Sequence, residues 1–558
     1  MRSKRGVWRL LALLTVFSLI LAACGGDDGD ETGGGEETET TTEDQKSGGT
    51  VILAAEQEPE SLNWLTSAHN TAWGSYIMGW VWPGAWYADP KGEKVQNKDL
   101  VTSVELTSED PQTVVYKINK DAVWSDGTPI TADDFKYYWE AQNGKNEAYQ
   151  PAGTTGYEDI ESVEGSDNGK TVTVKFAKKF ADWDALFDFL LPAHAFAKAG
   201  GGDPIKGFNE GFVTETVDLA NAVSGGPFKV TDFKRGQSMT LEKNEKYWGK
   251  PAFLDKIIIP FITDATQQPA ALENKEADVA FPQAQIDLVQ QVKAIQGITS
   301  EIGFGTFWEH LDFNFENQHL GVKEVRQAVG KAIDRQEIVK RLPGQFSDEA
   351  KVLDNRIFKP GQDAYKANGA KEYGKRDVAG AKKLLEQAGY AAGPDGIYAK
   401  GGNKLTLRIT WRDPNPRRQQ TAQLLQAQLK EAGIDAQLAP QPSFAFLDEG
   451  NFDIALFGWT GGTVLSSNTS IYETDGGQNH AGHSNKQVDE LFAKANVEFD
   501  QDEREDMMNQ IDTLLWADLP TLPLFQVPEL LAYRDTIQGP KYNGFQGPTW
   551  NAHQWSLK

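Results

Sequence analysis

The chain has one cysteine, Cys24, among 558 residues. Without a second thiol it closes no disulfide of its own, and a zinc site built on several cysteines is excluded. It has no G-x-S-x-G, H-E-x-x-H or Walker-type glycine loop, so common hydrolase, metalloprotease and nucleotide-binding signatures are missing. Positive charge is in deficit. The 55 Lys and Arg against 80 Asp and Glu leave a formal charge of −25, which argues against nucleic acid as a partner. No repeat recurs at a fixed period. After the first few residues, no apolar run is long enough to span a membrane.

What is present at the N-terminus defines a compartment. Arg2, Lys4, Arg5 and Arg9 precede a run of apolar or small residues from Leu10 to Ala23. The run is short of the roughly 20 residues that cross a bilayer and has the proportions of a secretory signal. It ends in LAAC and looks like a bacterial lipobox. Residues 1–23 are therefore expected to be a lipoprotein signal peptide, with Cys24 acylated. Residues 24–48, rich in acids, Gly and Thr and devoid of apolar side chains, are expected to be a disordered tether. The folded body then begins near Gly49.

That body is too long for one domain, and strand and helix patterns alternate along it, which points to an α/β architecture. Val51–Ala55, Thr113–Asn119 and Thr171–Phe176 read as strands. Thr131 with Asp134 reads as a capping box, opening a helix that buries Phe135, Tyr138 and Trp139. Further helices follow from the apolar face Val325, Ala328, Val329, Ala332 and Ile333 and from Asp334 with Glu337 as a cap. Others start at Val378, at Pro416, and at Ser484 with Gln487. Phe452–Gly462, FDIALFGWTGG, begins as a buried strand and ends in an aromatic between glycines.

Taken in order, several segments carry a resemblance. They are EPESLNWL, KDAVWSDGTPITADDFKYYWE, GPFKVTDF, LEKNEKYWG, EVRQAVGKAIDRQEIV, KKLLEQAGY, LLQAQLKEAGI, FDIALFGW and NHAGHSNKQVDELFAKA. This collinear set resembles the family 5 extracellular solute-binding proteins of ABC importers, which include oligopeptide- and dipeptide-binding proteins. The resemblance implies a two-lobed periplasmic-binding-protein-like α/β fold with an additional domain and a hinge. Lobe I would take 49–88, 223–305 and 526–558, the additional domain 89–222, and lobe II 306–525. The hinge would lie near Gly303–Trp308 and Leu522–Gln526. It implies a lipid-anchored receptor on the extracytoplasmic face of the cell membrane. The receptor is not an enzyme; it closes on a small ligand and delivers it to an ABC permease with its ATPase. The ligand would be an oligopeptide or dipeptide, with an oligosaccharide as the alternative and a secreted hydrolase on the same scaffold as the remote one. No cofactor, metal or nucleic acid is implied, and a monomer is expected.

The resemblance also assigns candidate ligand contacts. Gly458, Trp459 and Thr460 would form one wall, and His69, Asn70 and Thr71 the opposite one. Many peptide binders carry an acid three residues after this tryptophan, whereas here the position is Gly462. Trp308, Trp411, Asn314 and His480 are further candidates. Asn314 reads equally well as a turn residue. The aromatic segment with Trp73, Tyr76 and Trp80 at helical spacing reads first as core. Arg412, Arg417 and Arg418 read first as solvated surface residues, with a ligand carboxylate as the sharper alternative. His480 and His483 are spaced H-x-x-H, but their neighbours supply no further metal ligands.

Overall fold

The computed structural model describes residues 46–461 and 464–558. The expected signal peptide, Cys24, most of the expected tether and Gly462 lie outside them. Ten strands form one sheet. In chain order they are β1 (Thr50–Ala54), β2 (Phe228–Lys234), β3 (Ser238–Lys243), β4 (Lys256–Pro260) and β5 (Val279–Ala280). Then come β6 (Ile298–Phe313), β7 (Thr406–Thr410), β8 (Asp435–Leu438), β9 (Ile454–Thr460) and β10 (Thr521–Arg534). Their spatial order is β8-β7-β9-β6-β10-β5-β1-β4-β3-β2.

The chain folds as two α/β lobes with an additional antiparallel sheet. On one side β1 runs parallel to β4 and β5; on the other, β7 runs parallel to β8 and β9. Parallel neighbours require long crossovers, here largely helical. Two long strands join the sides. β6, of 16 residues, pairs antiparallel with β10, of 14, from Ile298 opposite Arg534 to Asp312 opposite Thr521. The register shifts between Phe304 and Trp308 and again between Glu309 and His310. Such bulges bend and twist a ladder where they fall. At the first of them, Gly303 lies under the Tyr542 ring and Gly305 against the backbone of Gly544, where a Cβ has no room.

The cores follow this division. Val51, Leu53, Ile257 and Trp555 share one buried cluster with Val114, Tyr116, Phe135 and Val174. The last four belong to a four-stranded antiparallel sheet (Val101–Glu109, Gln112–Ile118, Thr171–Phe176, Ile160–Ser166) and its helix Ala132–Gln142. A separate cluster gathers Leu311, Val325, Val329, Leu407, Leu425, Ile454 and Leu522.

Most local signals resolve as read. Thr131 and Asp134 form a reciprocal capping box. Asp334 caps Arg335–Arg341 through the Glu337 N–H, and Asn415 caps the helix that Pro416 opens. Two details differ. The helix Lys486–Ala495 is capped by Asn485, whose side chain accepts from Gln487 N, while the Ser484 hydroxyl bonds the Thr474 hydroxyl. In Ala132–Gln142, Tyr137 takes the buried place expected of Trp139. The Trp139 indole N–H reaches out to the Tyr157 carbonyl at 3.1 Å.

Glu529 of β10 and Glu56, just after β1, interact where Gln283 bridges to Glu529 and donates its N–H to Glu56. Burial pushes both carboxyls up to about 7, and the Glu56 charge adds to the rise at Glu529. Tyr542 Oη donates to Glu529 Oε2 at 2.7 Å. A carboxyl whose folded pKa exceeds its unfolded one contributes stability that is full below the unfolded value and is lost as pH rises through the folded one. Stability is therefore expected to fall through this pair between about pH 4.5 and 7. Glu529→Gln should flatten that slope in urea midpoints measured across the window. An unaltered slope would show that the pair does not titrate there.

Candidate functional site

A cavity of about 130 Å³ opens beside the end of β9. An engineered apolar cavity of about 150 Å³ holds one benzene-sized group, so this one accepts a single side chain or end group of a larger ligand. Its walls come from segments far apart in sequence. β6 supplies Trp308, and β9 supplies Trp459 and Thr460, with Gly461 following. Residues 356–364 form a second wall, residues 92–94 a third, and Leu465–Ile471 with Gln501 and Glu505 a fourth.

The β9 wall follows from its pairing. β9 runs antiparallel to β6 over its whole length, from Ile454 opposite Phe313 to Thr460 opposite Phe307. β7 covers its other edge only at Ile454 and Ala455. From Leu456 onward that edge has no strand partner among the described residues. An uncovered edge is a template for an added strand. The glycine that the resemblance places at the ligand, Gly458, has a packing reason of its own: a Cβ there would overlap the Phe307 ring.

Trp459 stands opposite Trp308 across the ladder. Its ring lies near parallel to both His310 and His480, with centroids 6.0 Å away in each case. Phe457 meets it edge-on at 5.1 Å. These rings fix its orientation. Its Nε1 is closed off from solvent and meets no acceptor among the described residues.

The second wall is anchored by buried charge. Arg356, 1% exposed, pairs with the fully buried Asp512 at 2.9 Å and also donates to the Thr521 carbonyl. Asn355 Oδ1 accepts from the N–H groups of Ile357 and Phe358. Lys359, 5% exposed, follows. Its Nζ donates to the Arg356 carbonyl at 2.6 Å and the Ile357 carbonyl at 3.3 Å, and lies 4.8 Å from the centre of the Trp308 ring. Burial pushes the Lys359 ammonium down to about 7, against the opposing pull of Asp512.

A third buried charge ties two sides of the cavity together. Asp182 is fully buried and takes a bidentate pair from Arg504, 2.8 Å at Nη1. It also accepts from the N–H and hydroxyl of Ser466 at 3.0 and 2.7 Å. Despite its burial, these partners hold its carboxyl below the ordinary value. Lys94 pairs with Asp184 beside it. Ala181 N donates to the Asn496 carbonyl at 2.9 Å in the same contact. Residues 181–184, next to the four-stranded sheet, are thus joined to the helix Gln501–Asp518 and the turn before Thr469.

The expected site residues divide. Trp459, Thr460 and Trp308 line the cavity, and His480 supports Trp459 from beside it. His69, Asn70 and Thr71 do not line it. Thr71 caps the helix Ala72–Met78 and His69 bonds Thr66. Trp411, 2% exposed, sits in the core beneath β7. Asn314 is a turn residue, its amide donating to the carbonyls of Gly450 and Phe452. Trp73 is buried, and Tyr76 and Trp80 pack on the core beside it. His483 is committed to the Tyr472 carbonyl and Asp518. Arg412 is exposed, as the surface reading has it, whereas Arg417 and Arg418 correct that reading. Arg418 is 5% exposed and clasps Glu309 at 2.8 Å, with Arg417 at 3.4 Å. Burial of Glu309 is offset by Arg418 and then Arg417, which hold its carboxyl below the ordinary value. Lys359, Arg356, Asp182 and Arg504 were not singled out by the sequence. The one hint was a lysine directly after Ile357-Phe358, an apolar pair in a loop.

The family model described as bacterial extracellular solute-binding proteins, family 5, matches residues 96–481. The oligopeptide-binding protein OppA of Mycobacterium tuberculosis is 32% identical over 490 residues, covering 86% of this chain and 80% of its own. A lipoprotein of Mycobacterium leprae is 26% identical over 519 residues, covering 85% of this chain and 87% of its own. Among solved structures, a periplasmic EDTA-binding protein superposes with a TM-score of 0.86 at 32% identity, covering 92% of this chain and 97% of its own.

Removing one partner of a buried ion pair leaves the other charge uncompensated and costs about 3–5 kcal/mol. Asp182→Ala is expected to lower unfolding free energy by about that amount in urea. A loss under about 1 kcal/mol, the range of exposed pairs, would show that Arg504 finds water or another partner.

Proposed function

The chain belongs to the bacterial extracellular solute-binding proteins of family 5, and from that membership we propose that its ligand is a peptide bound by main-chain pairing along the uncovered edge of β9. Its role is that of the extracytoplasmic substrate-binding component of an ABC importer, and it is not an enzyme. The observation that carries the peptide reading is the edge from Leu456 to Thr460, free opposite β6 and running into the cavity. An extended peptide satisfies such an edge by strand addition, while a pocket beside it takes alternate side chains. The name of the 32%-identical mycobacterial oligopeptide-binding relative supports the same ligand class.

The lobes are proposed to divide as the sequence indicates, with 49–88, 223–305 and 526–558 in one, 306–525 in the other, and 89–222 as the additional domain. Closure about β6 and β10 then brings residues 92–94 and 182 against lobe II, and ligand binding energy drives it. The partner is an ABC permease with its ATPase, and the receptor acts as a monomer. A lipid on Cys24 holds it at the membrane. The lipoprotein name of the M. leprae relative supports that anchor, and no helix among the described residues is long and apolar enough to cross a membrane.

Peptides of graded length should raise the thermal midpoint of the purified protein in a concentration-dependent way. A rise with oligosaccharides alone would overturn the peptide reading. Trp459→Ala should weaken peptide binding roughly 10-fold or more, the scale of losing one buried aromatic contact; because the ring also packs on His310, Phe457 and His480, the ligand-free midpoint is expected to fall as well, and affinity is read well below it. Unchanged affinity would leave Trp459 as packing. Cys24→Ser should release the protein from cells with binding intact, and a mutant that stays membrane-bound would remove the anchor.

A further inference from the structure

The cavity wall carries three basic groups, and two of them are already matched. Arg356 is paired with Asp512, and Lys94 with Asp184. Lys359 has no carboxylate within ion-pair distance among the described residues. An ammonium has three N–H donors. Two go to the carbonyls of Arg356 and Ile357, and the third meets no acceptor among the described residues. The acids on the lining sit elsewhere: Glu93 and Asp363 are exposed, and Glu505 accepts from Gln501. Buried charges are ordinarily paired, because desolvation is otherwise uncompensated. The carbonyls and the Trp308 face offset part of that penalty. They supply no counter-charge. Trp459 lines the same cavity.

We propose that Lys359 anchors a carboxylate of the ligand, seated in the cavity between Trp308 and Trp459. The inference rests on this cavity being the ligand site and adds the charge of the group it takes. The volume suits one acid-bearing end group or side chain rather than a whole peptide. A carboxylate supplies the missing acceptor for the third Lys359 N–H, and a charge-assisted bond is roughly twice as strong as a neutral one. The donor-rich wall suits an acceptor far better than an amine.

The test pairs each binding peptide with its uncharged form, a free acid against the amide. An anionic non-peptide, Fe(III)–EDTA, serves as a second probe. Affinities are read by calorimetry on the native protein, Lys359→Met and Lys359→Arg. The native protein is expected to prefer the acid by roughly 10- to 100-fold, the scale of a hydrogen bond to a charged group. Lys359→Met should cost the acid far more than the amide and so erase the preference, and Lys359→Arg should keep part of it. Equal binding of acid and amide by the native protein overturns the inference and leaves the peptide reading standing. An equal loss for both forms in Lys359→Met also overturns it, since the lysine then only braces its loop. If no peptide binds but the chelate does, through Lys359, the peptide reading falls and the anionic site stands. If neither probe class binds, the inference is overturned as well. Should Lys359→Met fail to fold, the acid–amide comparison on the native protein and Lys359→Arg decides alone.

Discussion

The pairing of β6 with β10 is the constraint on which the rest depends. These two strands run side by side from Ile298 and Arg534 at one end to Asp312 and Thr521 at the other. Each lobe's parallel strands attach to this pair, β5 and β1 beyond β10, and β9 and β7 beyond β6. The lobes are therefore connected by a strand pair, interrupted at two register shifts, as well as by loops. Where the register slips, near Gly303 and Gly305, the Tyr542–Gly544 segment presses onto the backbone. A bulge absorbs bending without breaking the ladder on either side.

Around the cavity, buried charge does what apolar packing does elsewhere. Arg356 with Asp512 fixes one wall, and Arg504 with Asp182 joins another to the sheet-bearing segment. Arg418 with Glu309 holds the helix that begins at Pro416 against β6. Each pair is desolvated on both sides, so each is specific about geometry even where its net contribution to stability is modest. Lys359 stands out against this background because its neighbours are all matched.

Two relatives of equal identity show how little the scaffold says about ligand. The mycobacterial oligopeptide-binding protein and the EDTA-binding protein each share 32% of their residues with this chain. Their names place very different molecules on related folds. Discrimination must then reside in short segments that the fold presents and does not itself constrain. In this chain the cavity is lined by two such segments, 356–364 and the end of β9.

The sequence alone determined the elements, the class and the family. Alternation at Thr171–Phe176, the Thr131–Asp134 box and the apolar face from Val325 are local patterns, and local patterns survive without tertiary information. It also singled out Trp459, because an aromatic between glycines at a strand end has few ordinary explanations. Only the tertiary structure decided which polar residues matter. Arg417 and Arg418 read as surface residues until Glu309, more than a hundred positions away, is placed beside them. Asp182 and Arg504 are 322 residues apart, and Trp411 and Asn314 are assigned to core and turn by neighbours no spacing reveals. Burial of a charge depends on what the rest of the chain brings to it. For that reason Lys359, one lysine among many in the sequence, acquires its meaning from the carboxylates that are not beside it.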